Sequence, residues 1–585
     1  MDLKQSKPLL ADIEKAIAAM RAGRRPDAVL TYEAISERDD LDAIVHAALG
    51  RLCLALDGTF LAVQHFQKAV EDEPDNAENQ AYLGIALQAE RRSNEAAIAF
   101  EKALEIEENM PACLNGLGVI QTNRGDFEKA NELFEKAEKL KPSDGVIQTN
   151  YAMALTHLNE HEAALKHAEK ALKLVPDNSN AHYAYGAILS QSGRVDDAVK
   201  HFEGTIRKNP MFGGAYDHLA RIKRFSKDDK PFIDKVEKIL KKGMPARERV
   251  CIHYALGKMY DNCEMYDEAF ENYRQANLLK KKKFDRRPAD KRFQKVRKAI
   301  DAKTLKKYQQ HGNDSIMPIF VLGMPRSGTT LMERMITSSD RVAGAGELTE
   351  IPHIASEVLR SDKNRPYAAL IQENLDADGI ATYSEQYLKI LRQADQNAER
   401  IVDKLPSNYM HVWAISILFP KATIIFARRH PLDIALSCFF QNFSGIPWSV
   451  DLETIADEYR FHRQTMDYWK KILPEGKILD VHYEQLVAEP EIYGRRMLEG
   501  CGLEWSGDGL DHYKKDKVVK TASLWQVRQP VYQSSRMRWK KYAPHLGELA
   551  NLMSEFLQDD REELGEHGIE LSAPSGISRL KKIFG

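Results

Sequence analysis

Six cysteines in 585 residues (Cys53, Cys113, Cys251, Cys263, Cys438 and Cys501) are too few and too scattered for a disulfide framework. None forms a CxxC or a Cys/His zinc spacing. Structural thiols in a reducing compartment are therefore expected. Long apolar runs are also missing. Nothing approaches the roughly 18–20 residues of a membrane span, and the opening MDLKQSKPLLADIEK has no apolar stretch suited to a signal peptide. These absences imply a cytoplasmic chain with no membrane partner. Excess charge is absent too: 84 Lys+Arg against 86 Asp+Glu leave a formal net charge of -2. Bulk charge therefore favours neither nucleic acid nor an anionic surface, and any anion site must be local. What remains, 43% hydrophobic and 29% charged, is the composition of a soluble globular protein. Its length exceeds one ordinary core, so two or more domains are expected.

The first half repeats itself. Gly50, Gly84 and Gly118 are spaced by 34, and Ala152, Gly186 and Ala220 continue the series. Ala62, Ala96, Ala130, Ala164 and Ala198 follow at +12, and Phe66, Phe100, Phe134, Ala168 and Phe202 at +16. Pro74, Pro142, Pro176 and Pro210 close repeats in register, and the phase runs back to Ala16, Ala28 and Tyr32. Small residues at fixed offsets let paired helices approach closely. The aromatic is expected to fill the gap to the next repeat, and proline ends the second helix. Over roughly residues 9–225 this pattern resembles the tetratricopeptide repeat. The register breaks after Lys223 at a charged, proline-containing insertion. It returns with a shifted phase at Gly257, Ala269, Tyr273 and Ala276, closing the array near residue 280. A basic stretch follows (Lys280 to Lys283, Arg286 to Lys298). With no aromatic platform interleaved, it reads as a solvated helix face rather than a nucleic-acid site.

From Ile319 the pattern changes to short apolar runs alternating with helical stretches, as in KATIIFARRHP and KILDVHYEQL. That alternation implies an α/β domain with a mostly parallel sheet, whose ligands sit at the carboxyl ends of strands. Its first unit, PIFVLGMPRSGTTLME, reads as a buried strand, a tight loop and a helix start. Such a loop aims backbone N–H groups and a helix dipole at one point, a site for phosphate or sulfate. Gly323 and Gly328 are five apart, as in a Walker A loop, but Thr329 stands where the Walker lysine would be, and the cation is Arg326 inside the loop. Three further pieces follow strand ends: Glu347 in AGAGELTE, Asp403-Lys404 in IVDKLPSN, and Arg429 to Ser437 in RHPLDIALS.

GMPRSGTTLMERMI, ARRHPLDIALS and VHYEQLV together resemble the sulfotransferases that use 3′-phosphoadenosine 5′-phosphosulfate (PAPS), in particular the tyrosylprotein-sulfotransferase-like branch. The resemblance spans roughly residues 316–550. Taken with the repeats and the basic stretch, it gives an expected all-α tetratricopeptide superhelix over 1–280, a basic helical linker over 281–315 and an α/β sulfotransferase domain over 316–585. It further implies that Arg326, Ser327, Gly328, Thr329 and Thr330 hold the 5′-phosphosulfate. Arg429 and Ser437 would grip the 3′-phosphate, and Tyr483 would contact adenine. Glu347 would be the base, with Glu350 its neighbouring competitor. Lys404 would contact the bridging oxygen, Arg326 would lie on the sulfonate side, and Ser523 would assist at the transition state. PAPS has no γ-phosphate, so neither the Walker lysine nor a metal is required. The implied product is 3′-phosphoadenosine 5′-phosphate.

The pattern departs from the family in places. No histidine base stands in DKLPSN, the RKG nucleotide loop of small-molecule enzymes is absent, and Gln529 replaces a lysine usual in the tyrosylprotein branch. The repeats are expected to recruit a protein or peptide acceptor, or a partner that presents one, through a concave surface, with oligomerisation left open. The alternatives are a saccharide or small-molecule hydroxyl, an inactive repeat scaffold, and a P-loop kinase, which the missing lysine disfavours.

Overall fold

The structure is a computed structural model that describes residues 3–38, 40–158, 160–281, 283–360, 365–505, 507, 509 and 535–558. It divides into two compact units, Met1–Asn209 and Pro210–Gly585.

The first unit is a stack of helix pairs. Ala77–Ala89 with Ser93–Ile106 and Pro111–Arg124 with Phe127–Leu140 are representative. Each first helix is richer in apolar and small residues and more deeply buried, whereas each second helix keeps one apolar stripe and a charged outer face. The +16 aromatic does not act only toward the next repeat, as expected from the sequence. A Cβ on Gly84 would lie 2.6 Å from the Phe100 ring, and one on Gly118 would lie 2.8 Å from that of Phe134. Each ring therefore sits over the glycine of its own repeat. The rings also reach the next repeat: a Cβ on Gly116 would lie 2.5 Å from Phe100, and Phe66 and Phe134 stack on Tyr82 and Tyr151. Asp126, Asp144 and Asn178 cap the helices Phe127–Leu140, Gly145–Leu155 and Ser179–Gln191 by accepting from backbone N–H groups, which fixes the turns before them.

The repeat pattern runs on inside the second unit. Gly213–Ile222 packs beside Ala246–Asn262, which pairs with Tyr266–Lys280. A Cβ on Gly257 would lie 2.9 Å from the Tyr273 ring, the same cradle as upstream. The basic stretch forms Arg287–Ala299 and Ala302–Gln309. Its charges face outward, but Phe293, Val296, Ile300, Leu305 and Tyr308 join the core of the α/β domain, so only one face of each helix is solvated.

That domain is built on a five-stranded, all-parallel sheet in the order β2-β3-β1-β4-β5. The strands are β1 (Pro318–Gly323), β2 (Val342–Gly346), β3 (Arg400–Asp403), β4 (Thr423–Arg428) and β5 (Ile478–His482). β1 is buried at every position, as a strand covered by helices on both faces must be. One face packs on Phe320, Leu322, Trp413 and Trp469, the other on Ile319, Val321, Met332 and Val481. The chain leaves β1 for the β2 edge and later crosses to β4 and β5, so the topological switch point lies beside β1 at the carboxyl ends.

Candidate active site

All five strands deliver a candidate residue at their carboxyl ends. After β1 the chain turns through Gly323 (φ 151°), Arg326 (φ 70°) and Gly328 (φ 99°) into the helix Thr329–Ile336. Glycine is required at both ends. A Cβ on Gly323 would lie 2.7 Å from Ala427 O, and one on Gly328 would lie 2.6 Å from the Tyr483 ring. Arg326 adopts the left-handed region without being glycine, a strain of about 1–3 kcal/mol that the surrounding loop must hold. The loop buries Ser327, Thr329 and Thr330. The helix has no side-chain cap, leaving its first N–H groups pointing at the loop.

Arg429, after β4, clamps this loop. Its Nη1 donates to Arg326 O (2.9 Å) and its Nη2 to Ser535 O (2.7 Å). Its guanidinium lies over the Tyr483 ring at 4.5 Å. Tyr483, at the β5 end, is thus held between Gly328 and Arg429, and is 8% exposed. Behind Arg429 stand two buried carboxyls. Glu484 accepts from His430 N (2.9 Å) and Asp433 accepts from Trp539 N (2.9 Å). Burial pushes Glu484 up to about 7, opposed by the Arg429 charge, and raises Asp433 in the same way. Asp433 therefore serves the first turn of its helix and anchors the segment after Ser535. His430 stacks on Trp539.

Ser437 lies on the helix Pro431–Phe439, and its Oγ accepts from Arg326 Nε at 2.9 Å. The next residue confirms the apposition, with Cys438 Sγ 3.5 Å from Pro325 O. The residue assigned to the sulfonate side and one assigned to the 3′-phosphate therefore touch. On the other side of β1, Lys404 Nζ pairs with Glu347 Oε1, and Lys404 N donates to Gly346 O (2.8 Å). The Lys404 side chain is 1% exposed and that of Glu347 is 46% exposed, so a buried cation is matched with an accessible carboxylate. Glu350 begins the next helix, Glu350–Val358. Asp403 lies beneath, fully buried, accepting from Tyr387 OH at 2.6 Å, with burial pushing it up to about 7. Ser523 and Gln529 lie outside the described residues.

Ser327 Oγ and Arg429 Nε are buried and have no hydrogen-bond partner among the described residues. Two orphaned donors beside an uncapped helix start suit an anion. Sequence reasoning missed Glu484, Asp433 as an anchor, and Arg538, which pairs with Asp261 at 2.6 Å. Arg538 and Asp261 are too far apart along the chain for any motif to join them.

Comparison with known proteins agrees with this architecture. Residues 318–507 match the model of the Sulfotransferase family. Tetratricopeptide repeat models match 13–77, 115–179, 155–221 and 252–283. An uncharacterised protein of Aquifex aeolicus (strain VF5) is 34% identical over 325 residues, covering 53% of this chain and 42% of that protein. Protein-tyrosine sulfotransferase A of Caenorhabditis elegans is 27% identical over 232 residues (38% of this chain, 60% of that protein). Protein-tyrosine sulfotransferase 1 of Danio rerio is 27% identical over 226 residues (38% and 63%). The chain thus spans only about half of the length of these relatives, from 42% to 63%.

Proposed function

From a chain that carries a sulfotransferase-family domain behind tetratricopeptide repeats, we propose a PAPS-dependent sulfotransferase acting on an acceptor hydroxyl of a protein or peptide, tyrosine being the first candidate. The observation that carries this reading is the pairing of an anion loop lacking the Walker lysine with a second cationic anchor, Arg429 and Ser437, one strand away. A nucleotide with phosphate groups at both ends of its ribose matches two such anchors. A triphosphate does not.

In this reading the loop backbone, Ser327, Thr329 and Thr330 hold the 5′ end, while Arg429 and Ser437 hold the 3′-phosphate. Glu347, half exposed, takes the acceptor hydroxyl proton. The acceptor oxygen forms its bond to sulfur as the bond from sulfur to the phosphate oxygen breaks, and Lys404 stabilises the charge on that leaving oxygen. The products are the sulfate ester and 3′-phosphoadenosine 5′-phosphate, with the proton on Glu347. Lys404 also holds Glu347 in place before the acceptor arrives. The repeats are the natural recruiting surface for a peptide acceptor or for a partner that presents one.

Thermal-shift comparison of 3′-phosphoadenosine 5′-phosphate with ATP tests the nucleotide. Stabilisation by ATP alone would refute the reading. Transfer from labelled PAPS to tyrosine peptides, oligosaccharides and small phenols tests the acceptor. Label on a saccharide alone would remove the peptide assignment and leave the nucleotide assignment standing.

A further inference from the structure

One register of the first unit alternates between apolar and polar partners. His46, on the helix Ala43–Ala55, meets His65, on Thr59–Asp72, where the two helices of a repeat cross. Their Nδ1 atoms lie 3.0 Å apart, and each residue is 8% exposed. Nineteen residues separate the two. The same offset returns as Gln148 with His167 (2.7 Å) and as His182 with His201 (3.2 Å). In the repeat over 111–140 it holds Leu114 and Leu133, packed in one apolar cluster.

The His46–His65 contact has a fixed proton capacity. A gap of 3.0 Å between two ring nitrogens holds one proton, donated by one ring and accepted by the other. Two protons cannot occupy it. Separated imidazoles each take up a further proton near pH 6.5, so the closed pair binds at least one proton fewer than the same rings apart. The surroundings do not offset a charge there. Tyr32, from the helix Arg25–Ser36, sets its hydroxyl 3.3 Å from His65 Nε2, with Cys53 beside it. Asp42 faces the pair from the start of the first helix, but its two oxygens already accept from Val45 N and from Ser6 Oγ of the helix Leu3–Arg21. Lys68 and Asp72, on the second helix, are one of each sign. The next helix, Ala77–Ala89, presents Tyr82 to Phe66 and Glu78 to Arg51. Neither imidazole has a carboxylate as hydrogen-bond partner among the described residues. Burial pulls both rings below the usual histidine range, His65 to about 4.

We propose that this contact is an acid-sensitive latch within the first unit: the repeat over 43–72 stays closed near neutral pH and opens in mild acid, when both rings are protonated and repel. The separated rings bind more protons than the closed pair, so the latch is at full strength above about pH 6.5 and weakens as pH falls. Each excluded proton shifts the opening equilibrium by about tenfold per pH unit below that point. The repeat over 111–140, with leucines at the same offset, has no such dependence.

Hydrogen exchange of the full chain, read by mass spectrometry at about pH 7.5 and about pH 5 and corrected for intrinsic rates, tests this. Protection over 43–72, taken as a ratio to protection over 111–140, should fall by about tenfold or more between the two conditions. His46→Gln installs the partners seen at Gln148 and His167 and should reduce that fall by about threefold or more. Should that variant open at both pH values, His46→Leu with His65→Leu, which copies Leu114 and Leu133, should make the ratio independent of pH. An unchanged ratio in the wild-type chain would overturn the latch. So would the full fall persisting in the double leucine variant, which would place the titrating group elsewhere.

Discussion

Replacing Arg429 by alanine should separate the clamp seen in the structure from the anion role proposed for the same side chain. Its two Nη groups hold Arg326 O and Ser535 O, and its Nε is buried with no hydrogen-bond partner among the described residues. Hydrogen bonds to a charged group contribute roughly 1.5–3 kcal/mol each, and losing both leaves buried carbonyls unmet, so about 3–6 kcal/mol of stability is at stake. Arg429 is 9% exposed, so water recovers little of this. For a unit of this size each kcal/mol moves the melting temperature by about 2 °C. The apo variant should therefore melt roughly 6 °C or more below wild type. Separately, affinity for 3′-phosphoadenosine 5′-phosphate should fall by about tenfold or more. Differential scanning calorimetry of the apo chain reads the first duty and titration calorimetry the second. Arg429→Lys keeps the charge and loses the fork, so it should recover part of the affinity and little of the stability. An apo melting temperature within about 1 °C of wild type would refute the clamp. Unchanged nucleotide affinity in the alanine variant would refute the anion role.

Three further outcomes are expected. Glu347→Gln should leave nucleotide binding intact and lower turnover by about 10²–10⁴; near-wild-type turnover with labelled donor would move the base to Glu350 or elsewhere. Gly84→Ala gains about 1 kcal/mol of helix propensity but sets a methyl 2.6 Å from Phe100. The clash should win by about 1–3 kcal/mol, with partial rescue by Phe100→Leu in urea unfolding; a neutral or stabilised single variant would contradict the cradle. Glu484, lifted by burial from 4.5 to about 7, binds its proton more tightly folded than unfolded, so its contribution is full below 4.5 and is lost as pH rises through about 7. Asp403, raised the same way, adds a loss of the same sign. Glu484→Gln should therefore flatten part of the fall in melting temperature between about pH 5 and pH 8, and an unaltered slope would show that Glu484 does not titrate there.

The repeats were legible because each position answers to one local rule: a glycine under a ring, an alanine at a crossing, a proline at a helix end. The strand-end motifs were legible for the same reason, since the loop from Gly323 to Gly328 and the run from Arg429 to Ser437 each lie within a few residues. What sequence could not give were contacts joining such runs. Arg326 against Ser437 links residues 111 apart, and Asn277 against Phe439 links residues 162 apart. Tyr483 looked like a nucleotide contact from its place in HYE, and the fold seats its ring between Gly328 and Arg429, a packing that depends on three strands at once. The basic segment after Lys280 was legible only by its outer face, because Phe293 and Tyr308 are too sparse among lysines to announce a buried stripe.

The seam at Asn209/Pro210 has a consequence for how such a chain changes over time. Tetratricopeptide units are near-identical blocks that duplicate and delete easily, and each touches only its neighbours. Copies within the first unit can be gained, lost or exchanged as whole cassettes. The hairpin that ends at Lys280 has no such freedom, since its aromatic residues are committed to Phe439 and Phe440. Repeat number upstream is therefore an adjustable quantity, whereas the last copy is inherited with the α/β domain. A laboratory graft of foreign repeats should be joined at residue 209 rather than at the end of the repeat pattern.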